Sequence, residues 1–413
     1  MVREYVVYVR RASPLWRGFL LPAGGVDRVI YRSVVLPWLL FLGALLALVA
    51  PAAPSMAQAN DPAIDKAVAY IRSQQQADGS FAGFGPGSTA DAVFALAAAN
   101  VNVAEVQTGG QSAISYIRSQ AKDAGNDTGV AAKFVIALLQ AGQSPITPDG
   151  INLIQEVERG YNAQTARYGN DVTAHAYAMI ALNAAGQPSA RRGEVVDALK
   201  KLQLPDGGWS FDGTPASGSD TNTTSVVIQA LVAVGDKSEA LTRAIAYLRS
   251  QQNTDAGFPF SQTSQFGNAS DANSTALSLQ ALLAAGEDLA SYTREGRTIR
   301  DRLLAFQNPS GAFRYQDTQL EDNALATYQA VPALAGKTLP LEGILIALPA
   351  APEASTPGAA APTAAAPSAS PAPAAGGVPA RLPNTGVSDV VPALLLVVLL
   401  LFLAGLTLKR QRA

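Results

Sequence analysis

The chain of 413 residues has no cysteine and a single histidine, His175. Without thiols there is no disulfide, no thioester, no thiolate nucleophile and no Cys-ligated zinc. One histidine makes an imidazole-based triad or a His-rich metal site hard to build. An excess of one charge is also missing. The formal net charge is −2, so nothing argues for nucleic acid as a partner. No cofactor and no metal are expected.

What is present is best seen in residues 198–235. An amphipathic stretch runs into the turn Gln203, Asp206, Gly207, Gly208, Trp209. There the glycines supply the stop and the reversal of the backbone. A polar loop follows, then Asp220 and Thr221 ahead of an Ala/Val/Ile/Leu run that ends at Gly235. That order reads as N-cap, helix body and C′ glycine.

The same unit recurs across residues 60–340. Ala67, Tyr70 and Arg72 stand in the same order as Ala113, Tyr116 and Arg118, and as Ala244, Tyr247 and Arg249. Six Ala- and Leu-rich runs end in step at Asn100, Gly142, Gly186, Gly235, Gly286 and Gly336, about 42 to 51 residues apart. This spacing holds two helices and two loops per repeat. The first helix of each pair is amphipathic and suits an outer position; the second is apolar nearly all round and suits an enclosed one. The expected fold is all-α, an (α/α)6 toroid of six helix pairs. An open solenoid is the alternative.

The two ends differ in composition. Residues 1–57 read as a signal peptide: Arg10, Arg11, Arg17, Arg28 and Arg32, an uncharged apolar run over 34–50, and the small-x-small site Ser55, Met56, Ala57. An uncleaved anchor helix is the competing reading, with a run that is short for a full span. Residues 349–381 are almost wholly Ala, Pro, Ser, Thr and Gly and form a Pro/Ala-rich linker. Residues 382–413 hold Leu382, Pro383, Asn384, Thr385 and Gly386, an apolar run over 390–408, and a basic end at Lys409, Arg410 and Arg412. A run of that length spans a bilayer, and its basic end stays cytoplasmic.

This tail resembles a sortase sorting signal of the LPxTG type. The resemblance implies cleavage between Thr385 and Gly386 and transfer to the cell envelope, with sortase as a partner. A plain C-terminal membrane anchor is the alternative. Either way the body is exported and lies at the cell surface.

The body resembles the terpenoid-cyclase and protein-prenyltransferase toroids. The carriers are turns similar to that family's QW repeats: Gln74 to Phe81, Gln203 to Trp209, Gln251 or Gln252 to Phe258, and Gln307 to Phe313. In class II cyclases the family resemblance places the proton donor within DxDDT. The matching stretch here is Asp220, Thr221, Asn222, Thr223, Thr224, so the acid position is Asn222, whose amide is no Brønsted acid. The pattern repeats at Asp271, Asn273 and Thr275, as a feature of the repeat would. Prenyltransferase zinc chemistry and thioester chemistry both need the absent cysteine. Cobalamin carriers share the toroid, but their second, β-rich domain has no counterpart here.

Acidic residues stand at or before the start of each inner helix: Asp91, Asp127, Asp171, Asp220, Asp271 and Asp322. As caps they satisfy the helix starts. As a group they rim one mouth of the toroid, joined there by His175, Asn222, Thr224, Asn273 and Thr275. No residue is assigned a catalytic role. The expectation is a surface-anchored module that binds a small apolar or amphipathic ligand, or a surface partner, without catalysis. The alternatives are an enzyme acting on an isoprenoid or other lipid, a cobalamin-type carrier, and a glycan-active barrel.

Overall fold

The computed structural model of the protein describes residues 61–340, apart from 188–190 and 266. The leader (1–57), the linker (349–381), the sorting pentapeptide (382–386) and the apolar tail run lie outside the described residues. No described helix is long and apolar enough to cross a membrane.

Thirteen helices are present among the described residues. Six form the outer layer: α1 (Pro62–Ser73), α3 (Ala113–Ser119), α6 (Leu153–Arg159), α8 (Arg192–Lys201), α10 (Glu239–Gln251) and α12 (Ile299–Leu304). Six form the inner layer: α2 (Gly87–Ala98), α5 (Thr128–Gln140), α7 (Val172–Ala184), α9 (Thr221–Ala233), α11 (Ala272–Ala284) and α13 (Ala324–Leu334). The remaining one, α4 (Ala121–Ala124), is a single extra turn. Outer helices bury one stripe, as α1 does with Ile64, Ala67 and Ile71. Inner helices are buried nearly all round, as in α11, where the first eleven residues are enclosed.

Each inner helix packs against the next, and α13 packs against α2. The ring is closed. The expected toroid stands, with one difference from an all-α chain. Three short antiparallel hairpins, Gln107–Thr108 with Gln111–Ser112, Tyr161–Asn162 with Arg167–Tyr168, and Phe313–Gln316 with Gln319–Asn323, fill loops between helices.

The inner helices stop where the sequence places their ends. Asn100, Gly142, Gly186, Gly235, Gly286 and Gly336 all adopt φ between 58° and 74°. Each closes a Schellman pair, for example Gly235 N to Val232 O and Asp236 N to Leu231 O.

Four QW-type turns tie the repeats together. The amides of Gln75, Gln203, Gln252 and Gln307 each donate twice, once to their own turn and once to the next repeat. Gln203 Nε2, for example, reaches Gly207 O and Ala240 O, both at 2.8 Å. Gln307 Nε2 reaches Gly311 O at 3.0 Å and Ala63 O at 2.8 Å, which seals the ring. In the first turn the bridging residue is Gln75, bound to Gly79 O and Val106 O. Gln74 sits one position too early, and its side-chain amide donates to neighbouring Ser73 Oγ. The ring of each turn is enclosed: Phe81, Trp209, Phe258 and Phe313 are all buried.

Candidate functional site

The inner helices begin at one end of the ring. Val172 N, the first residue of α7, donates to Phe211 O in the turn before α9, and Thr221 N, the first of α9, donates to Phe260 O in the turn before α11. Four of the six predicted acids cap these starts. Asp127 accepts from Val130 N (3.1 Å), Asp171 from Ala174 N (2.8 Å), Asp220 from Thr223 N and Asp271 from Ser274 N (both 2.7 Å). Burial pushes the carboxyls of Asp220 and Asp271 up to about 6, against the lowering effect of these N–H donors.

Asp91 and Asp322 are placed differently from the expectation. Helix α2 starts at Gly87, so Asp91 lies inside it and is not a cap. Asp322 belongs to a hairpin strand, where Asn308 and Ser310 bind it at 2.8 Å; Asn323 caps α13 instead.

Four positions after the cap, the inner helix turns a side chain outward to hold the preceding turn. Thr224 Oγ1 accepts from Trp209 N (3.0 Å), and Thr275 Oγ1 from Phe258 N (3.0 Å). Thr327 does the same for Phe313 N at 2.9 Å, and Thr89, three positions after Pro86, for Phe81 N at 3.1 Å. In α7 this position is His175. Its Nδ1 accepts from Tyr168 N at 2.9 Å, and its Nε2–H donates to Val195 O at 3.0 Å. Burial holds the imidazole neutral, with its pKa lowered to about 4. His175, Thr224 and Thr275 are thus committed to turns and do not gather at the mouth. Asp171, one turn before His175, binds Thr173 and Ala174 and does not pair with the imidazole.

The helix face opposite these clasps lines the ring, and here the polar residues collect. Asn222 on α9 and Asn273 on α11 occupy equivalent places two residues after their caps. Asn273 Nδ2 donates to Gln329 Oε1 of α13 at 2.8 Å. Asn222 Oδ1 is buried with no protein partner. Seven residues further on, which is two turns and about 10 Å down the same face, lie Gln229 and Gln280. Gln229 Oε1 accepts from Leu339 N at 2.9 Å while its Nε2 has no partner. Leu339 is itself buried, so the chain leaving α13 crosses the ring at the far ends of the inner helices.

On the other side of the ring Lys133 of α5 donates to Asp91 of α2 at 2.8 Å, with Lys133 Nζ 5.2 Å from the ring centroid of Tyr177 on α7. Burial opposes the Lys133 charge, but the Asp91 carboxylate overrides it and raises the ammonium above its usual range. Gln140, two turns below Lys133 on the same face, is buried with both amide atoms unpartnered. Lys133 and Gln140 carry no motif, and only counting helical register from Asp127 would have found them. Of the aromatic residues on the inner helices and their turns, Tyr177 reaches this cluster, whereas Phe134, Tyr168 and Tyr328 are core residues.

A separate groove of about 420 Å³ lies between the fifth and sixth repeats. Its carboxylates are already engaged: Asp255 and Asp317 flank buried Arg302 at 2.8 and 2.7 Å. No cluster of His, Asp and Glu suited to a metal occurs among the described residues.

Two family models match this chain. The squalene-hopene cyclase C-terminal domain matches residues 152–322, and the prenyltransferase alpha-alpha toroid domain matches residues 22–125. The body is an α/α toroid, and parts of it match cyclase and prenyltransferase toroid domains. No curated protein sequence matches it. Among solved structures, a protein from Actinoplanes is 15% identical, with 67% of this chain and 98% of that one covered and a TM-score of 0.48. The type II terpene cyclase MstE from Scytonema is 14% identical, with 66% and 97% covered and a TM-score of 0.49. The ent-copalyl diphosphate synthase from Streptomyces platensis is 17% identical, with 61% and 50% covered and a TM-score of 0.40.

In the stretch that resembles the cyclase motif, Asn222 stands at the acid position. The flanking carboxylate of Asp220 is tied to the backbone of its own helix. The arrangement offers hydrogen bonds and an ion pair.

Proposed function

We propose that the protein is an exported toroid, held at the cell surface, that binds a ligand in its ring without transforming it. The observation that carries this reading is Asn222, whose Oδ1 is enclosed at the ring-lining face of α9 without a protein partner. A buried acceptor left unpaired costs about 1–3 kcal/mol, which a bound donor would recover. Asn273, Gln229 and the Lys133–Asp91 pair line the same interior and supply further contacts. The attachment follows from the tail: sortase joins Thr385 to the envelope, or the run over 390–408 stays in the membrane. A ligand of amphipathic character fits a ring that is polar at intervals and apolar between.

An enzyme acting on an isoprenoid is the second reading, and the squalene-hopene cyclase match favours it. The two separate by incubating the full chain with squalene and with geranylgeraniol and resolving the extract by gas chromatography and mass spectrometry. The binding reading expects both recovered unchanged; a cyclised hydrocarbon or alcohol would decide for the enzyme. Attachment is tested in parallel by Thr385→Ala, which shifts the protein out of the envelope-linked fraction if sortase acts there.

A further inference from the structure

A second surface lies outside the ring and is independent of anything the ring holds. Five large apolar side chains are exposed among the described residues: Phe84 (78%), Ile146 (40%), Phe211 (54%), Phe260 (43%) and Leu320 (67%). Single exposed apolar residues are ordinary on any protein. Here four of the five share one place in the fold. Phe84, Phe211, Phe260 and Leu320 stand in the loops that lead from outer to inner helices in the first, fourth, fifth and sixth repeats. Those loops lie at the end of the ring where the inner helices begin. Ile146 stands in a loop from an inner to an outer helix, at the opposite end.

Closure of the ring makes these four repeats consecutive, from the fourth through the sixth to the first. The carbonyls of Phe211 and Phe260 hold the first residues of α7 and α9. Ala82 O, two residues before Phe84, accepts from Tyr328 Oη of α13 at 3.1 Å, across the seam. At about 10 Å between neighbouring inner helices, the four side chains mark an arc about 30 Å long. The arc also carries charge of one sign. Its four loops, 74–86, 202–220, 252–271 and 305–323, hold nine acidic residues and one cation, Arg314. Asp220 and Asp271 are buried caps, Asp255 pairs with Arg302 of α12, and Asp317 pairs with Arg302 and Arg314. The other five, Asp78, Asp206, Asp212, Glu321 and Asp322, are exposed, with no Lys or Arg paired to them among the described residues. Asp212 directly follows Phe211, and Glu321 directly follows Leu320.

We infer that this arc docks a basic amphipathic segment of another protein. Its apolar side chains lie on Phe84, Phe211, Phe260 and Leu320, and its Lys and Arg side chains face the acids between them. A helix of about 20 residues matches the arc at 1.5 Å per residue. Charge decides among the occupants. An anionic lipid surface, or the same arc of a second copy, carries the sign of the acids and is repelled, whereas a basic partner is drawn in. The geometry leaves the arc clear of the chain's own connections. Asp61, where the described chain begins, pairs with Arg300, and Arg300 also donates to Leu334 O near the end of α13. Both connections are therefore at the other end of the ring.

The test titrates the full chain, held in phosphatidylcholine nanodiscs, into a dye-labelled helical peptide of leucine and lysine. Fluorescence anisotropy is the readout and empty discs are the blank. Saturable binding is expected, weakening as sodium chloride is added. Phe211→Ser with Phe260→Ser should weaken it roughly tenfold or more. Asp212→Asn with Glu321→Gln should weaken it and flatten its salt dependence. Thermal midpoints should stay unchanged, since all four side chains are exposed. Absence of saturable binding, equal binding by the variants, or equal binding of the peptide with glutamate in place of lysine overturns the inference. Co-sedimentation of the loaded discs with phosphatidylglycerol vesicles, lost in the phenylalanine pair, would overturn it in favour of a membrane. Self-association of the loaded discs, lost in the same pair, would overturn it in favour of a second copy. None of these outcomes bears on a ligand inside the ring, so the binding reading above stands or falls separately.

Discussion

Gln307 Nε2 donates to the carbonyl of Ala63 at 2.8 Å, across 244 residues of sequence. The same bond joins Gln203 to Ala240 and Gln252 to Tyr292 within the chain. The seam between last and first repeats is therefore built like any other repeat boundary. Arg300 strengthens it by donating to Leu334 O at 2.7 Å and pairing with Asp61.

Gln307→Leu and Gln203→Leu should then destabilise to a similar degree, about 1–3 kcal/mol each, because each removes two hydrogen bonds worth roughly 0.5–1.5 kcal/mol apiece. Urea denaturation followed by Trp209 fluorescence measures both. A neutral Gln307→Leu beside a costly Gln203→Leu would mean that the ring is open in solution.

The turn glycines give a second contrast. Gly207 has φ +94°, and a Cβ there would lie 2.5 Å from Arg243 O. Gly207→Ala should cost about 2 kcal/mol or more, from left-handed strain and the backbone clash together. The fifth repeat places Ala256 at this position with φ 68°. Ala256→Gly should stabilise by about 0.5–1 kcal/mol, read as a rise in thermal midpoint.

The buried titrating groups oppose one another. Asp220 and Asp271 titrate at about 6 in the folded state, above the ordinary 3.8. They bind protons more tightly when folded, so their stabilising effect is complete below pH 3.8 and is lost as pH rises through 6. His175 titrates at about 4 when folded, below the ordinary 6.5, so its effect is complete above 6.5 and is lost as pH falls through 4. Each shift is worth about 3 kcal/mol at roughly 1.4 kcal/mol per unit. Relative to the wild type, Asp220→Asn with Asp271→Asn should lose stability progressively from pH 7 to pH 4. His175→Thr, which keeps a hydroxyl for Tyr168 N, should gain over the same interval. Parallel curves for all three proteins would contradict these assignments.

Much of this was legible in sequence because the repeat announces itself chemically. The six C′ residues from Asn100 to Gly336 fixed where the inner helices end, since a left-handed terminus favours Gly or Asn. Asp127, Asp171, Asp220 and Asp271 were readable as caps for the same local reason. The errors came where local chemistry is ambiguous. Gln74 and Gln75 are adjacent, and only the turn geometry selects Gln75. Asp91 looked like a cap because the real start of α2, after Pro86, has no capping side chain. Thr224, Thr275 and His175 sit in a polar stretch near the mouth, but a helix turns them 100° per residue, away from Asn222. Lys133 and Gln140 went unnoticed because what gives them meaning is a neighbouring helix, which no spacing within one segment displays.

The central claim is that the ring holds a ligand and leaves it unchanged. Native mass spectrometry of the full chain purified from its own host tests this most directly. The account predicts a defined small-molecule adduct that is released intact, keeps its mass through prolonged incubation, and is lost in Asn222→Leu while the protein stays folded. An adduct-free spectrum, or a bound molecule whose mass changes with incubation time, would contradict it.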